Sequence, residues 1–214
     1  MNLRITVGRM QCQDRGDAAM DRLGAVLDAA RSCRLCEPYL PLGSRPILQA
    51  NASARLLIVG QAPGTKAHHT GIPWNDNSGS RLRSWLGIEP DVFYDANRIA
   101  IVPAGFCYPG AVPNGGDKPP RPECAPLWHS QILPLLGNVR LTVLVGGYAH
   151  RLFLGSARSA TLTDTVANFA RHLPAHLPLP HPSWRSVGWE KKNPWFASEV
   201  LSAARLLVQE VLSP

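Results

Sequence analysis

Three short apolar runs, separated by longer segments with helical periodicity, constrain the fold of this chain more than any other feature. The runs are RLLIVG over 55–60, RIAIV over 98–102 and LTVLV over 141–145, and a shorter candidate lies at 177–179. Continuous apolar runs of this length are typical of strands buried on both faces. Strands that alternate with helices predict a three-layer α/β/α fold around a central four-stranded parallel sheet.

Helical patterns lie before, between and after these runs. Apolar residues recur every three or four positions over 17–31, 78–86, 124–136, 148–154 and 194–212. The chain has 214 residues, of which 45% are hydrophobic, and this composition is globular. We interpret 1–214 as a single domain and expect residues 1–16 to be flexible.

The chain has no apolar run as long as the roughly 18 residues that a membrane span requires. Its first residues, MNLRITVGRM, lack the apolar core of a secretory signal. We therefore expect a cytoplasmic protein without a membrane partner, and we expect it to act as a monomer. Because thiols stay reduced in such a compartment, the five cysteines favour metal binding over disulfide bonds.

The formal charge of +7 favours an acidic partner, of which nucleic acid is the commonest. Arginine supplies 18 of the cations and lysine only 4. Arginine enrichment also follows from a GC-rich genome, so composition alone does not decide. The four lysines are predicted to lie in loops, where they would mark the functional rim: Lys66, Lys118, Lys191 and Lys192.

The first motif, GQAPG over 60–64, follows the first apolar run. Ligands of open α/β sheets bind outside the carboxyl ends of the strands, so this turn is placed to offer backbone N–H groups. A phosphate-binding loop is excluded, because Thr65 and Ala67 flank Lys66 where glycine and Ser or Thr would be needed. An ordinary strand-to-helix turn remains the alternative.

The second and third motifs are TGIPWNDNSG over 70–79 and HPSWR over 181–185. Trp74 is unusual in a polar turn unless it packs or stacks. Asp76 either caps the following helix or acts in catalysis, and both readings stay open. His181, with the aromatic and cationic residues after it, suits a loop that enters a nucleic-acid groove.

Four cysteines have the spacing C-x2-C-x70-C-x16-C, and the last two fall in a segment, 103–126, that holds seven prolines. Such a long loop is expected to be functional or tied down. Four thiolates suit either a [4Fe–4S] cluster or tetrahedral zinc. The ligands would be Cys33, Cys36, Cys107 and Cys124, which leaves Cys12 over.

These motifs, in this order over about 30–200, resemble the uracil-DNA glycosylase superfamily, and most closely its iron–sulfur-containing families 4 and 5. The resemblance implies that backbone amides of Gln61 and Ala62 hold an extruded uracil and that Trp74 stacks on it. It also implies that Asn97 reads the uracil edge, since an amide offers one donor and one acceptor. His181 would stabilise the charge that develops on uracil O2.

The resemblance further implies DNA contacts from the HPSWR loop, and it favours the iron–sulfur cluster over zinc. The cluster would staple the 103–126 loop to the N-terminal helix without taking part in the chemistry. The expected DNA-binding residues are Lys66, Ser183, Trp184, Arg185, Lys191 and Lys192.

The sequence departs from the family pattern at the catalytic loop. Ala62 stands where the best-known members carry a catalytic Asp, Gly64 where they carry a Tyr that excludes thymine, and Gln61 where family 4 carries a Glu. Asp76 is the carboxylate left in these segments, and family 5 uses an Asp in a similar turn. We therefore predict Asp76 as the catalytic carboxylate, with either Asp76 or Gln61 positioning the water.

The sequence thus predicts a monofunctional glycosylase that hydrolyses the bond between uracil, or another deaminated base, and DNA, which initiates base excision repair. Such an enzyme must extrude its target base from the helix. The principal alternative is a catalytically weak or inactive iron–sulfur protein that binds damaged or single-stranded DNA. Covalent capture of DNA and hydrolysis of a small nucleoside rank below both.

Overall fold

A computed structural model of the chain describes residues 20–113 and 115–213. The expected flexibility of 1–16, the first three residues of the predicted helix 17–31, and Cys12 lie outside the described residues.

The apolar runs form one parallel sheet. Its strands are β1 (Leu56–Val59), β2 (Ile99–Ile101), β3 (Leu141–Val145) and β4 (His176–Leu179), in the spatial order β2-β1-β3-β4. All residues of β1, β2 and β3 are buried. The four-stranded parallel sheet predicted from the sequence is confirmed.

Helices cover both faces of this sheet. They are α1 (20–31), α2 (Thr65–Thr70), α3 (Asn77–Leu86), α4 (Pro90–Phe93), α5 (Cys124–Ile132), α6 (Gly147–Leu154), α7 (Leu162–Ala167), α8 (Ser186–Lys192) and α9 (Ser202–Leu212). Short 3-10 turns lie at Glu37–Tyr39, Leu133–Leu135, Gly155–Ala157 and Phe169–His172, and a π-helical turn at Phe196–Leu201 precedes α9. None of the helices in the described ranges is long and apolar enough to cross a membrane.

The alternation of side chains along β1 creates two cores. Leu56 and Ile58 pack on one face with residues of α3 and α9, including Leu82 and Val208. Leu57 and its neighbours pack on the other face with α1, α5 and α6. The three-layer α/β/α arrangement predicted from the sequence is therefore confirmed.

Two predicted helices differ in detail. The pattern over 124–136 ends as an α-helix at Ile132 and continues as a 3-10 turn, because Pro134 cannot donate the next helical hydrogen bond. The pattern over 194–212 begins with the π-helical turn Phe196–Leu201. Phe196 and Val200 are both fully buried, so the apolar stripe faces the core despite the wider winding.

The proline-rich loop 103–126 is tied down in part by backbone pairing. Segments 110–113 and 115–118, which we call the hairpin, are joined by an antiparallel bridge between Ala111 and Asp117. The N–H of Val112 donates to the Gly116 carbonyl oxygen at 2.9 Å, and that of Lys118 to the Gly110 carbonyl oxygen at 2.7 Å. These bonds give the hairpin a defined path across the edge of the sheet.

Candidate active site

The carboxyl ends of the parallel strands open onto one cavity of about 640 Å³. The GQAPG loop leaves β1 there, Pro103 follows β2, and His181 follows β4. The TGIPWNDNSG turn forms another wall, and the hairpin and the HPSWR loop form the rim. The polar and aromatic side chains that line the cavity are Gln61, Trp74, Asp76, Ser78, Asp117, His181, Ser183, Trp184 and Arg185.

Trp74 is held rigidly in the wall of the cavity. Its backbone adopts a positive φ of 55°, which is rare for a residue with a side chain. A Cβ on Gly60 would lie 2.7 Å from the Trp74 ring, so the glycine of the first motif makes room for the indole of the second. The ring centroid lies 5.7 Å from that of His181. An aromatic face is thus available beside His181.

Asp76 has the capping role that the sequence left open, and it also lines the cavity. It is the N-cap of α3, and its Oδ1 accepts from the N–H of Gly79 at 2.8 Å. Its Oδ2 lies 3.9 Å from the position of a Cβ on Gly64, which places it on the cavity side. The helix cap therefore fixes the carboxylate while one oxygen faces the cavity.

His181 is held in its neutral form at the end of β4. Burial lowers the pKa of His181, and the negative charge of Asp76 opposes this shift only in part. A neutral imidazole carries one N–H donor, so His181 can donate a hydrogen bond near neutral pH without carrying a charge.

Gln61 fixes the hairpin to the first loop. Its Nε2 donates to the Lys118 carbonyl oxygen at 2.9 Å. Within the described chain, the backbone N–H groups of Gln61 and Ala62 have no acceptor. Those two amides are therefore available to a ligand in the cavity.

Asp117 is a cavity residue that the sequence reasoning missed. It belongs to the hairpin, and its Oδ2 lies 3.6 Å from the Cβ position of Gly64, on the same side as Asp76. Burial raises the pKa of Asp117, and the charge of Asp76 raises it further. The one available signal was an acidic residue beside a glycine pair in a loop that two cysteines were expected to pin.

Asn97 does not reach the cavity. It precedes β2, at the amino end of the sheet, and it is exposed. Its backbone carbonyl oxygen accepts from the Ser53 hydroxyl at 3.0 Å. Since the cavity lies beyond the opposite end of the strand, the structure contradicts the assignment of Asn97 as a base-binding residue.

The HPSWR loop forms the rim beside the hairpin. Trp184 is 78% exposed, and the Arg185 guanidinium lies over its ring, 5.1 Å from the centroid. Arg185 also donates to the Gly115 carbonyl oxygen at 3.0 Å. Ser183 is held by α3, because its carbonyl oxygen accepts a hydrogen bond from Arg81 at 3.1 Å.

None of the four lysines lines the cavity. Lys66 lies in α2, and Lys191 and Lys192 end α8, so the expectation that all four lysines lie in loops is wrong for three of them. Lys118, on the hairpin, is the loop lysine. All four are exposed.

The four spaced cysteines line a second, smaller cavity behind the hairpin. Cys33 and Cys36 follow α1, Cys107 lies in the loop after β2, and Cys124 begins α5. Burial raises the pKa of Cys107 to about 11 and that of Cys124 to about 12. Metal binding to such thiols would release their protons.

The four thiols that line this cavity suit either a [4Fe–4S] cluster or a single zinc ion. The Phe106 N–H donates to the Cys124 sulfur at 3.3 Å, and Arg121 also lines the cavity. Both would stabilise negative charge on thiolates.

A family comparison agrees with this geometry. A family model described as the Uracil DNA glycosylase superfamily matches residues 48–205. The match spans most of the chain, from the segment before β1 into α9, and the chain belongs to this superfamily. The superfamily generally comprises enzymes that hydrolyse the glycosidic bonds of bases in DNA.

Proposed function

We propose that this protein is a monofunctional DNA glycosylase that removes uracil from DNA, and that it is of the iron–sulfur type found in families 4 and 5. The observation that carries the proposal is the convergence of Asp76, His181 and two unpaired backbone amides in one cavity. Each of these groups matches a demand of base excision, and they come from three separate strand ends or turns.

The cavity would receive a nucleotide extruded from the helix. The unpaired amides of Gln61 and Ala62 would hold the base, with the Trp74 ring against its face. Trp184 stands exposed at the mouth, where it can fill the space that the base leaves. Ser183, Arg185, Lys66, Lys191 and Lys192 would contact the DNA backbone around it.

The reaction would proceed by hydrolysis. The bond between C1′ of deoxyribose and N1 of uracil breaks, and its electron pair stays on uracil. The neutral His181 donates a hydrogen bond to uracil O2, where negative charge develops. Ionised Asp76 stabilises the positive sugar and takes a proton from the water that attacks C1′. Asp76 then releases its proton to the solvent, and the uracil anion takes one up, which leaves free uracil and an abasic site.

Incubation with single- and double-stranded oligonucleotides that contain uracil, hypoxanthine or xanthine tests this proposal directly. We expect alkali-labile sites and release of the free base from the uracil substrate. Release of no base from any of these substrates would overturn the proposal. Tight binding to the same DNA without release would instead indicate a binding protein.

The second cavity is proposed to hold a [4Fe–4S] cluster through Cys33, Cys36, Cys107 and Cys124. When bound, the cluster would link separate segments of the chain covalently, and it would take no part in the hydrolysis. The cysteines would tie the end of α1 to the loop after β2 and to the start of α5. Anaerobic purification followed by iron, sulfide and zinc analysis tests this. Four iron and four sulfide per chain are expected, and stoichiometric zinc in a colourless protein would refute it.

A further inference from the structure

Because Asn97 does not reach the cavity, another residue is needed to recognise the edge of uracil. That edge presents the N3–H donor beside the O4 acceptor. A side chain that reads both atoms needs one acceptor and one donor in a single plane, which an amide or a protonated carboxyl provides. The cavity-lining side chains of these two kinds are Gln61, Asp76 and Asp117.

Two of these three groups already have structural partners. The Gln61 amide is oriented by its hydrogen bond to the Lys118 carbonyl oxygen at 2.9 Å. The Asp76 carboxylate is oriented by the N–H of Gly79 at 2.8 Å. In the part of the chain that the structure describes, no group forms a hydrogen bond with the Asp117 carboxyl, so both of its oxygens remain available to a ligand.

The hairpin places the Asp117 carboxyl on the same side of Gly64 as the Asp76 carboxyl. Asp117 is exposed as a residue, but its Oδ2 and the Oδ2 of Asp76 lie 3.6 Å and 3.9 Å from the Cβ position of Gly64. The backbone bridge to Ala111 and the anchor at Gln61 hold the hairpin in this register. Gly64 has no side chain to separate the two carboxyls.

We propose that Asp117 is the base-reading residue of the cavity and that it reads uracil in its protonated form. Its O–H would donate to O4 and its carbonyl oxygen would accept from N3–H, while Asp76 faces the sugar. This inference rests on the proposed glycosylase function. A protonated carboxyl here makes the two hydrogen bonds to N3–H and O4 that an amide side chain would otherwise make. If Asp117 ionised, it would lose the O–H that donates to O4.

The electrostatic surroundings favour this division of roles. Burial raises the pKa of Asp117, and so does the neighbouring charge of Asp76. The other titratable or charged groups around it are His181 in the cavity, Lys118 next to it on the hairpin, and Arg185 at Gly115. Since Lys118 is exposed and Arg185 is bonded to the hairpin carbonyl, neither is fixed against the Asp117 carboxyl.

Profiles of kcat/KM against pH on a uracil oligonucleotide test the proposal with Asp117→Asn, Asp117→Ala and a control, Asp91→Asn. Asp91 is exposed in the first turn of α4 and does not line the cavity, so its replacement makes the same Asp-to-Asn change away from the site. Wild type and control should lose activity as Asp117 ionises on the alkaline side. Asp117→Asn should keep its activity there, because the amide cannot ionise.

Asp117→Ala should lower kcat/KM about ten- to a hundredfold at the pH values where Asp117 is protonated in wild type, since both hydrogen bonds to the base are lost. Inhibition by free uracil gives a second readout, and it should weaken with rising pH in wild type but not in Asp117→Asn. The same alkaline limb in wild type and Asp117→Asn would overturn the inference. A wild-type protein that releases no base would instead overturn the proposed function.

Discussion

The side chain of Gln61 donates from Nε2 to the Lys118 carbonyl oxygen at 2.9 Å, which joins the loop after β1 to the hairpin. This one bond links the two unpaired amides of the cavity floor with the carboxyl of Asp117. A residue that the sequence marked for water or base binding thus also positions a second wall of the site.

Replacement of Gln61 by Ala should therefore weaken more than one function of the cavity. The net value of such a hydrogen bond is about 1 kcal/mol, so we expect kcat/KM on uracil DNA to fall at least about fivefold. Gln131→Ala is the matched control, because its Nε2 also donates to a backbone carbonyl, that of Leu127, but on the outer surface of α5. Equal activity of the two variants in single-turnover assays would contradict a role for the Gln61 bond.

Asp76→Asn should separate the cap of α3 from catalysis. Asn is as good an N-cap as Asp, so the melting temperature should change little. Loss of the negative charge should lower the rate of base release about a hundredfold or more. Activity close to that of wild type would refute the catalytic assignment.

The cap itself has a separate control. Thr161 caps α7, where its Oγ1 accepts from the Asp164 N–H at 3.0 Å, far from the cavity lining. Thr161→Ala should destabilise the protein by about 1 kcal/mol and leave base release unchanged. This comparison shows whether a lost cap alone affects activity.

The features of this protein that the sequence predicts are those set by contacts between residues that are close in the chain. The strands were found because burial on both faces requires continuous apolar runs, and Leu141–Val145 was predicted to the residue. Trp74, Asp76 and His181 were found because each sits in a turn directly after or between elements that the topology brings to one edge. Local pattern and the parallel topology are sufficient for these features.

The errors concern residues whose positions depend on contacts between distant segments. Asp117 reaches the cavity only because Gln61 and Arg185 hold the hairpin across the edge of the sheet, and no local pattern encodes that. Asn97 was misplaced because a residue before a parallel strand lies at the opposite end from the ligand site. Lys191 and Lys192 were assigned to a loop because α8 is short and follows a Pro-Ser turn.

Arg81 should govern how the HPSWR loop is presented to DNA. It donates to the Ser183 carbonyl oxygen at 3.1 Å and pairs with Glu190 at 2.5 Å, and both side chains of the pair are largely buried. Arg81→Ala removes both contacts, so we expect the Kd for uracil DNA, measured by fluorescence anisotropy, to rise about tenfold.

Arg31→Ala is the charge-matched control for Arg81. Arg31 pairs with Asp28 on the exposed face of α1, where the two side chains are 49% and 77% exposed. Such surface pairs contribute little, so its DNA binding should lose only the effect of one cation. Equal weakening by the two variants would show that Arg81 acts through charge alone.

The protein should become less stable on acidification near neutral pH. Burial lowers the pKa of His150, in spite of its hydrogen bonds to the carbonyl oxygens of Leu144 and Leu179, and burial also lowers that of His129. In the unfolded chain both histidines have a pKa of about 6.5. Below that pH the unfolded state binds more protons, so the free energy of unfolding should fall as the pH drops.

Urea unfolding of wild type and His150→Leu at several pH values checks this expectation. The variant loses the hydrogen bonds of the imidazole and should be less stable by about 1 kcal/mol or more above pH 7. Its stability should then depend less steeply on pH, because one buried neutral histidine is absent. An identical slope in the two proteins would exclude His150 as a source of the acid sensitivity.

Gly79 should be the least replaceable glycine of the TGIPWNDNSG turn. A Cβ there would lie 1.7 Å from the Trp74 carbonyl oxygen, which is backbone and cannot move without the turn. Gly79→Ala should therefore displace Trp74 from its place between Gly60 and His181. We expect a loss of at least about 2 kcal/mol of stability and of most base release.

Gly137→Ala, whose Cβ would meet nothing within 4 Å, should be stable and fully active. A Gly79→Ala protein with wild-type activity and Trp74 fluorescence would show that the turn can shift without harm to the site.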